Sequence, residues 1–146
     1  MEVSKDFEEF FELFNKNNVK YLVVGGYAFA IYAKPRYTND IDIFFDANRN
    51  NAKNVLKTLN DFGFGELEIS IEDLTKPNQV IQLWYPPLRI DLLTSIDGVE
   101  FLEAWERKVT CKYGQQDIQV ISKLDLIRNK KASGRKKDLD DLELLL

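Results

Sequence analysis

Residues 23–45 read VVGGYAFAIYAKPRYTNDIDIFF, and this stretch decides the fold. The apolar residues 21–24 are predicted to form a short strand, and a pair of glycines follows it. Residues 27–33 are apolar and rich in alanine, which predicts a short buried helix. Residues 40–46 alternate charged and apolar side chains at first, which predicts a second strand. The sequence therefore predicts a mixed α/β arrangement from this stretch onward.

Two carboxylates lie at the start of the second predicted strand. Asp40 and Asp42 point to the same face, because side chains two residues apart share a face of a strand, while Ile41 and Ile43 point into the core. Two carboxylates this close repel each other, and each raises the pKa of the other. A divalent cation between them removes that repulsion, and hard oxygen ligands suit Mg²⁺ or Mn²⁺. We therefore predict a metal site at this pair.

A third carboxylate lies in an apolar strand farther along the chain. Asp91 is flanked by Ile90 and Leu92, so its side chain either faces solvent on an exposed sheet face or lines a polar site. If this strand lies beside the strand of Asp40 and Asp42, three carboxylates converge. Three carboxylates are enough to hold two metal ions for in-line phosphoryl transfer.

The glycine pair and the connection after the helix supply groups that suit a nucleotide. Gly25 and Gly26 allow a ligand to approach the backbone closely. The helix that begins there directs its free amides and the positive end of its dipole toward a phosphate. Arg36 and Thr38 lie just before Asp40 and are further candidate contacts to the nucleotide.

The remaining elements are predicted from periodicity, caps and turn residues. The predicted helices are residues 7–14 with Asp6 opening a capping box, residues 52–62, a turn at 99–105, a helix capped by Ser122, and residues 135–146. The predicted strands lie around Ile69 and Ile71 and at residues 80–85, 89–93, 109–113 and 117–121. Residues 1–146 are thus predicted to form a single α/β (α+β) domain, with a mixed sheet flanked by helices and a helical C-terminus.

The composition excludes several kinds of active site. The 146 residues include no histidine and one cysteine, Cys111. Ser-His-Asp and Cys-His sites need an imidazole, and a structural zinc site needs four nitrogen or sulfur ligands, so these sites are excluded. One cysteine allows no intramolecular disulfide, which fits a cytoplasmic protein. No apolar run approaches the roughly 20 residues of a membrane helix, so we expect no membrane partner.

The basic residues are unevenly distributed. The formal net charge is −4, so a polyanion would need a local basic patch. Residues 128–137 contain six basic residues and no acidic one. This block is either a solvated helix face, paired with the acids that follow it, or a surface that contacts phosphate or an acceptor.

Taken together, these motifs resemble the nucleotidyltransferase superfamily of the DNA polymerase β type. The details are most similar to its small prokaryotic members, the AbiEii-like toxins and the minimal nucleotidyltransferases. Residues 40–43 match the superfamily's Asp-apolar-Asp-apolar motif, and residues 90–92 match its later apolar-Asp-apolar motif. The Arg-x-Thr-x-Asp run at residues 36–40 and the C-terminal stretch at residues 131–141 are also similar.

The resemblance implies a nucleotidyltransferase fold and the transfer of a nucleoside monophosphate from an NTP to an acceptor hydroxyl, with release of pyrophosphate. Asp40 and Asp42 would bind two Mg²⁺ ions, with Mn²⁺ as the alternative. Asp91 would bind the ion that activates the acceptor hydroxyl and would accept its proton. The implied phosphate contacts are Gly25, Gly26 and either Lys131 or Arg135.

Two kinds of function remain open at this point. An enzyme of this type could act on a hydroxyl of a partner protein, on a tRNA end or on a small molecule such as an antibiotic. Alternatively, the chain is a component of a toxin–antitoxin pair that acts mainly by binding its partner protein, with catalysis secondary or lost.

Overall fold

The computed structural model describes residues 3–35 and 38–146. The helices are α1 (Lys5–Lys16), α2 (Gly25–Tyr32), α3 (Arg49–Phe62), α4 (Ile71–Thr75), α5 (Phe101–Glu106), α6 (Lys123–Ser133) and α7 (Lys136–Leu145). The strands are β1 (Tyr21–Val24), β2 (Asp40–Phe45), β3 (Val80–Tyr85), β4 (Leu88–Leu93), β5 (Val109–Tyr113) and β6 (Gln116–Val120). The predicted α/β fold with a helical C-terminus is confirmed.

The six strands form one mixed sheet in the order β3-β4-β2-β1-β6-β5. The central strand β2 runs antiparallel to β1 and parallel to β4, and β1 runs parallel to β6. Two antiparallel hairpins, β3–β4 and β5–β6, complete the two sides of the sheet. This order puts the two strands that carry the predicted carboxylates side by side.

An aromatic stripe fixes α1 to the sheet. Phe7, Phe10, Phe11 and Phe14 recur at helical spacing and are all buried, and the rings of Phe11 and Phe14 stack on Tyr21 of β1. Burial of one such side chain stabilises the fold by roughly 1.5–3 kcal/mol. The stripe therefore belongs to the core of the protein.

The predicted start of α1 is wrong. Ser4, rather than Asp6, is the N-cap residue, and its Oγ accepts a hydrogen bond from the backbone N–H of Phe7. Asp6 lies in the first turn, where its negative charge interacts favourably with the positive end of the helix dipole. A hydroxyl at the cap satisfies an amide that the helix itself leaves unpaired, so the helix begins two residues before the predicted stripe.

The predicted strand around Ile69 and Ile71 is also wrong. Ile71 begins the short helix α4, and Ser70 caps it. The Ser70 hydroxyl accepts a hydrogen bond from the backbone N–H of Asp73, and the Asp73 carboxylate accepts one from the backbone N–H of Ser70. This reciprocal capping box satisfies two backbone amides at once. It therefore favours a helix here over the strand that the alternation of apolar residues predicts.

Two smaller expectations can be compared with the structure. Cys111 of β5 is a half-buried free thiol. Among the described residues, no helix has both the length and the apolar character needed to span a membrane.

Candidate active site

The strand pairing brings the three predicted carboxylates together. In the parallel pairing of β2 with β4, Asp42 is the register partner of Asp91, and Asp40 is the partner of Arg89. Ile41 on the opposite face of β2 is buried, as the alternation predicts. Asp40 and Asp42 are half-buried, whereas Asp91 is only 7 % exposed. Three acidic side chains therefore converge on one face of the sheet.

Arg89 is the partner of this cluster that the sequence reasoning missed. Its Nη2 lies 3.0 Å from Asp40 Oδ2, and it donates a hydrogen bond of 3.2 Å to Asp91 Oδ2. Its Nε lies 3.0 Å from Asp91 Oδ1, but these two buried atoms have no hydrogen-bond partner. The signal was present in the sequence, because Arg89 is two residues from Asp91 in a strand and so shares its face.

Asp42 has a strongly perturbed carboxyl group. Its pKa is raised from 3.8 to about 6, and burial is the largest cause of this shift. The nearby carboxylates of Asp91 and Asp40 contribute the rest of the increase. The positive charge of Arg89 opposes the shift without cancelling it. Carboxylates that share one site repel each other, and this repulsion favours the protonated form of Asp42.

Gly25 holds the turn between β1 and α2 against the acidic cluster. Helix α2 begins at this residue, two residues earlier than predicted, and its N-cap Val24 provides no side-chain cap. Gly25 has φ +66°, a conformation that residues with a Cβ adopt at a cost, and a Cβ there would overlap Asp42 Oδ2. At Gly26 a Cβ would meet nothing within 4 Å. The uncapped amides of α2 and Asp42 are therefore direct neighbours.

These groups line a cleft of about 670 Å³ with two chemically different walls. The acidic wall lies on the sheet and the loop after β4, and it comprises Asp40, Asp42, Asp91 and Asp97. A second wall, here called the basic wall, comes from α6 and α7 and comprises Asn129, Ser133, Arg135 and Lys137. The two walls meet where Asn129 Nδ2 donates a hydrogen bond of 3.0 Å to the backbone carbonyl of Asp97. A cleft lined by both carboxylates and cations suits a metal-bound polyphosphate.

The structure separates the predicted phosphate contacts. Gly25, Gly26 and Thr38 line the cleft, and the Thr38 hydroxyl bonds to the backbone of Asp40. Lys131 is exposed on α6 and is not among the residues that line the cleft, whereas Arg135 is. The predicted contact at Arg36 lies outside the described residues. The role of each residue in binding phosphate stays a prediction.

A buried ionic cluster holds the basic wall in place. Lys130 Nζ lies 3.2 Å from Asp138 Oδ1 and 3.0 Å from Asp141 Oδ2, and its side chain is only 6 % exposed. Arg135 Nε lies 3.0 Å from Asp138 Oδ2, and Ser133 donates a hydrogen bond to the same carboxylate. Part of the basic block is thus a structural link between α6 and α7. Arg135, although paired with Asp138, also lines the cleft, as does Lys137.

The residues of the acidic wall fit a divalent cation by their chemistry. Three carboxylates are opposed by one guanidinium, and the buried Asp91 Oδ1 lacks a hydrogen bond. Oxygen donors of this kind suit Mg²⁺ or Mn²⁺. Within residues 3–35 and 38–146, no group of three acidic side chains has the arrangement of a metal site. Arg89 pairs with both Asp40 and Asp91.

Comparison with known proteins places this geometry in context. The model of the family described as "Nucleotidyltransferase of unknown function (DUF6036)" matches residues 2–144. No curated protein sequence matches the chain.

Several solved structures have a similar fold. The lincosamide antibiotic adenylyltransferase LnuA, solved with lincomycin bound, is 19% identical with a TM-score of 0.55, over 99% of this chain and 98% of its own. A candidate nucleotidyltransferase from Thermotoga maritima is 18% identical with a TM-score of 0.58, over 92% of this chain and 91% of its own. The antibiotic-resistance factor ANT(2″)-Ia is 12% identical with a TM-score of 0.60, over 96% of this chain and 80% of its own.

Proposed function

Because the chain belongs to the DUF6036 family of nucleotidyltransferases, we propose that it transfers a nucleoside monophosphate from an NTP to an acceptor hydroxyl and releases pyrophosphate. The observation that carries this proposal is the pairing of Asp42 with Asp91 on parallel strands, beside Asp40 and in the same cleft as Arg135. We further propose that residues 1–146 act as one nucleotidyltransferase domain.

Divalent cations are part of the proposed reaction. Asp40 and Asp42 would hold two Mg²⁺ ions, or Mn²⁺ in their place, and Asp91 would share the ion nearer the acceptor. When bound, these ions supply charge stabilisation for in-line displacement at phosphorus. The raised pKa of Asp42 supports this proposal, because a cation would relieve the repulsion that raises it.

The chain's own residues bind the substrate and move the proton. The uncapped amides at Gly25 and Gly26 donate hydrogen bonds to the triphosphate, which their position at the start of α2 favours. Arg135 neutralises phosphate charge from the basic wall, and Lys131 is the second candidate for this role. The carboxylate of Asp91 accepts the proton of the acceptor hydroxyl.

We propose a small molecule as the acceptor and ATP as the donor. LnuA is an antibiotic adenylyltransferase, and ANT(2″)-Ia has been solved in complex with adenylyl-2″-tobramycin. A cleft of about 670 Å³ is in the size range of small-molecule sites. The net charge of −4 disfavours a long nucleic-acid footprint, although a tRNA end or a protein hydroxyl could still enter the cleft. We propose a cytoplasmic location, because the cytoplasm supplies NTP.

A label-transfer survey tests this function. The protein is incubated with Mg²⁺, a size-fractionated cell extract and each of the four NTPs, labelled either at the α-phosphate or at the γ-phosphate. We expect the α-label to enter one fraction and the γ-label to leave as pyrophosphate. Label in the small-molecule fraction supports the proposed acceptor, whereas label in tRNA or protein replaces it.

The toxin–antitoxin alternative is an outcome of the same survey. If no NTP labels any fraction, and the chain instead retains one partner protein tightly, the function is binding rather than transfer. Transfer of the γ-label would contradict nucleotidyl transfer and indicate a kinase-like reaction.

A further inference from the structure

Arg89 provides a positive charge next to the carboxylates of the acidic wall. Its guanidinium touches Asp40 through Nη2 at 3.0 Å and Asp91 through both Nη2 and Nε. It thus joins two parallel strands across their pairing, from its register position opposite Asp40. One guanidinium is therefore paired directly with two of the three carboxylates.

The contact between Arg89 and Asp91 has imperfect hydrogen-bond geometry. Nε and Oδ1 are 3.0 Å apart and buried, yet neither atom makes a hydrogen bond. A bidentate pair in good geometry forms two parallel N–H···O bonds, and this pair forms one. An imperfect pair is weaker than an ideal one, so a competing cation can displace it more easily.

Arg89 also contacts the ring of Trp84. Its Cζ lies 5.3 Å from the centre of the Trp84 ring, and Trp84 is 62 % exposed on the edge strand β3. A guanidinium over an indole face is attracted by the ring even when it leaves a carboxylate. The side chain can therefore move within the cleft without losing all of its favourable contacts.

We infer that Arg89 is a positioning residue that stands in for the divalent cation and competes with it for Asp40 and Asp91. The inference rests on the proposed metal-dependent function. In the metal-free protein, Arg89 keeps the two carboxylates from repelling each other. When the cation binds, Arg89 gives up these contacts and remains beside Trp84.

The test is the affinity for Mn²⁺ measured without nucleotide, from the electron paramagnetic resonance signal of the free ion. Arg89→Gln removes the competing charge and should tighten Mn²⁺ binding on the order of tenfold, the effect of losing a charged hydrogen-bonded pair. The matched control is Arg49→Gln, which removes the same charge from an exposed position of α3 that does not line the cleft. It should change the affinity by about twofold or less, because the effect is screened by solvent.

A conservative variant separates competition from a general structural effect. Arg89→Lys keeps the charge but offers a point donor in place of a planar fork, so its Mn²⁺ affinity should fall between those of the wild type and Arg89→Gln. If Arg89→Gln does not fold, the comparison of Arg89→Lys with the wild type replaces it. A further readout is the emission of Trp84 in a Trp105→Phe background, which Mn²⁺ should change only while Arg89 is present.

The failures are distinguishable. Equal or weaker Mn²⁺ binding in Arg89→Gln overturns the inference and leaves the proposed function standing, because the metal still binds. If neither protein binds Mn²⁺, the metal-dependent function fails together with the inference. Tightening of the same size in Arg49→Gln would also overturn it, because net charge alone would then explain the effect.

Discussion

Asp42 on β2 and Asp91 on β4 are register partners on two parallel strands, and both line the same cleft. Burial raises the pKa of Asp42 to about 6, and the carboxylate of Asp91 is the next cause of the shift. The metal-free protein thus carries a charge at neutral pH that its own fold disfavours. This relationship links the stability of the protein to the proposed function.

The first prediction concerns stability without metal. The folded pKa of Asp42 lies above its unfolded value of 3.8, so the folded state binds more protons between pH 4 and pH 6. Stability should therefore fall as pH rises through this window, by at most about 3 kcal/mol for a shift of roughly two units. Asp42→Asn removes the charge, so in EDTA it should be more stable than the wild type at pH 7.5 and equally stable near pH 3.5. Chemical denaturation at the two pH values measures this difference, and a less stable variant at pH 7.5 contradicts it.

The second prediction concerns the pH dependence of metal binding. A metal needs the carboxylate ionised, so protons compete with it at Asp42 below a pKa of about 6. The Mn²⁺ affinity of the wild type should be constant above pH 7 and fall up to about tenfold per pH unit below 6. Titrations from pH 5 to pH 8 test this, and an affinity independent of pH would show that Asp42 is not a ligand.

The third prediction uses the two adjacent glycines. Gly25→Ala puts a Cβ against Asp42 Oδ2 at a φ of +66°, which should cost about 1–3 kcal/mol and weaken Mn²⁺ binding. Gly26→Ala is the matched control, because its Cβ meets nothing within 4 Å. It should keep both stability and metal affinity. Thermal melts and Mn²⁺ titrations of the two variants should therefore diverge, and equal behaviour would count against the close approach at Gly25.

The fourth prediction compares two neighbouring lysines of α6. Lys130→Ala leaves Asp138 and Asp141 buried without their shared cation, so it should destabilise the protein by about 3–5 kcal/mol. Lys131→Ala changes an exposed side chain and should stay within about 0.5 kcal/mol. Urea denaturation measures both values. If Lys131→Ala also weakens NTP binding, the predicted phosphate role of Lys131 is supported; unchanged binding assigns that role to Arg135.

Much of the site could be predicted from local sequence, because its signals are local. The alternation at residues 40–43 was enough to predict that Asp40 and Asp42 share a face, and the glycine pair marked the end of β1. The approach of Asp91 could only be stated as a condition. It depends on β4 pairing with β2, and strand order is a property of the whole sheet.

The errors also have physical causes. The alternation of Ile69 and Ile71 favoured a strand, but the Ser70–Asp73 capping box outweighed it, and that serine-to-aspartate spacing was visible in the sequence. Lys130 and Lys131 are indistinguishable locally. Only the packing of α7 decides that the first is buried and the second exposed.

The most direct test of the central claim is the effect of Asp42→Asn on transfer of the α-label from NTP to the acceptor, with pyrophosphate release measured in parallel. Asp140→Asn, an identical change at an exposed position of α7 outside the cleft, is the matched control. We predict that Asp42→Asn lowers both rates by at least about a hundredfold while the protein stays folded, and that Asp140→Asn changes neither. Transfer that persists in Asp42→Asn at the rate of the control would contradict the assignment of this carboxylate cluster as the active site.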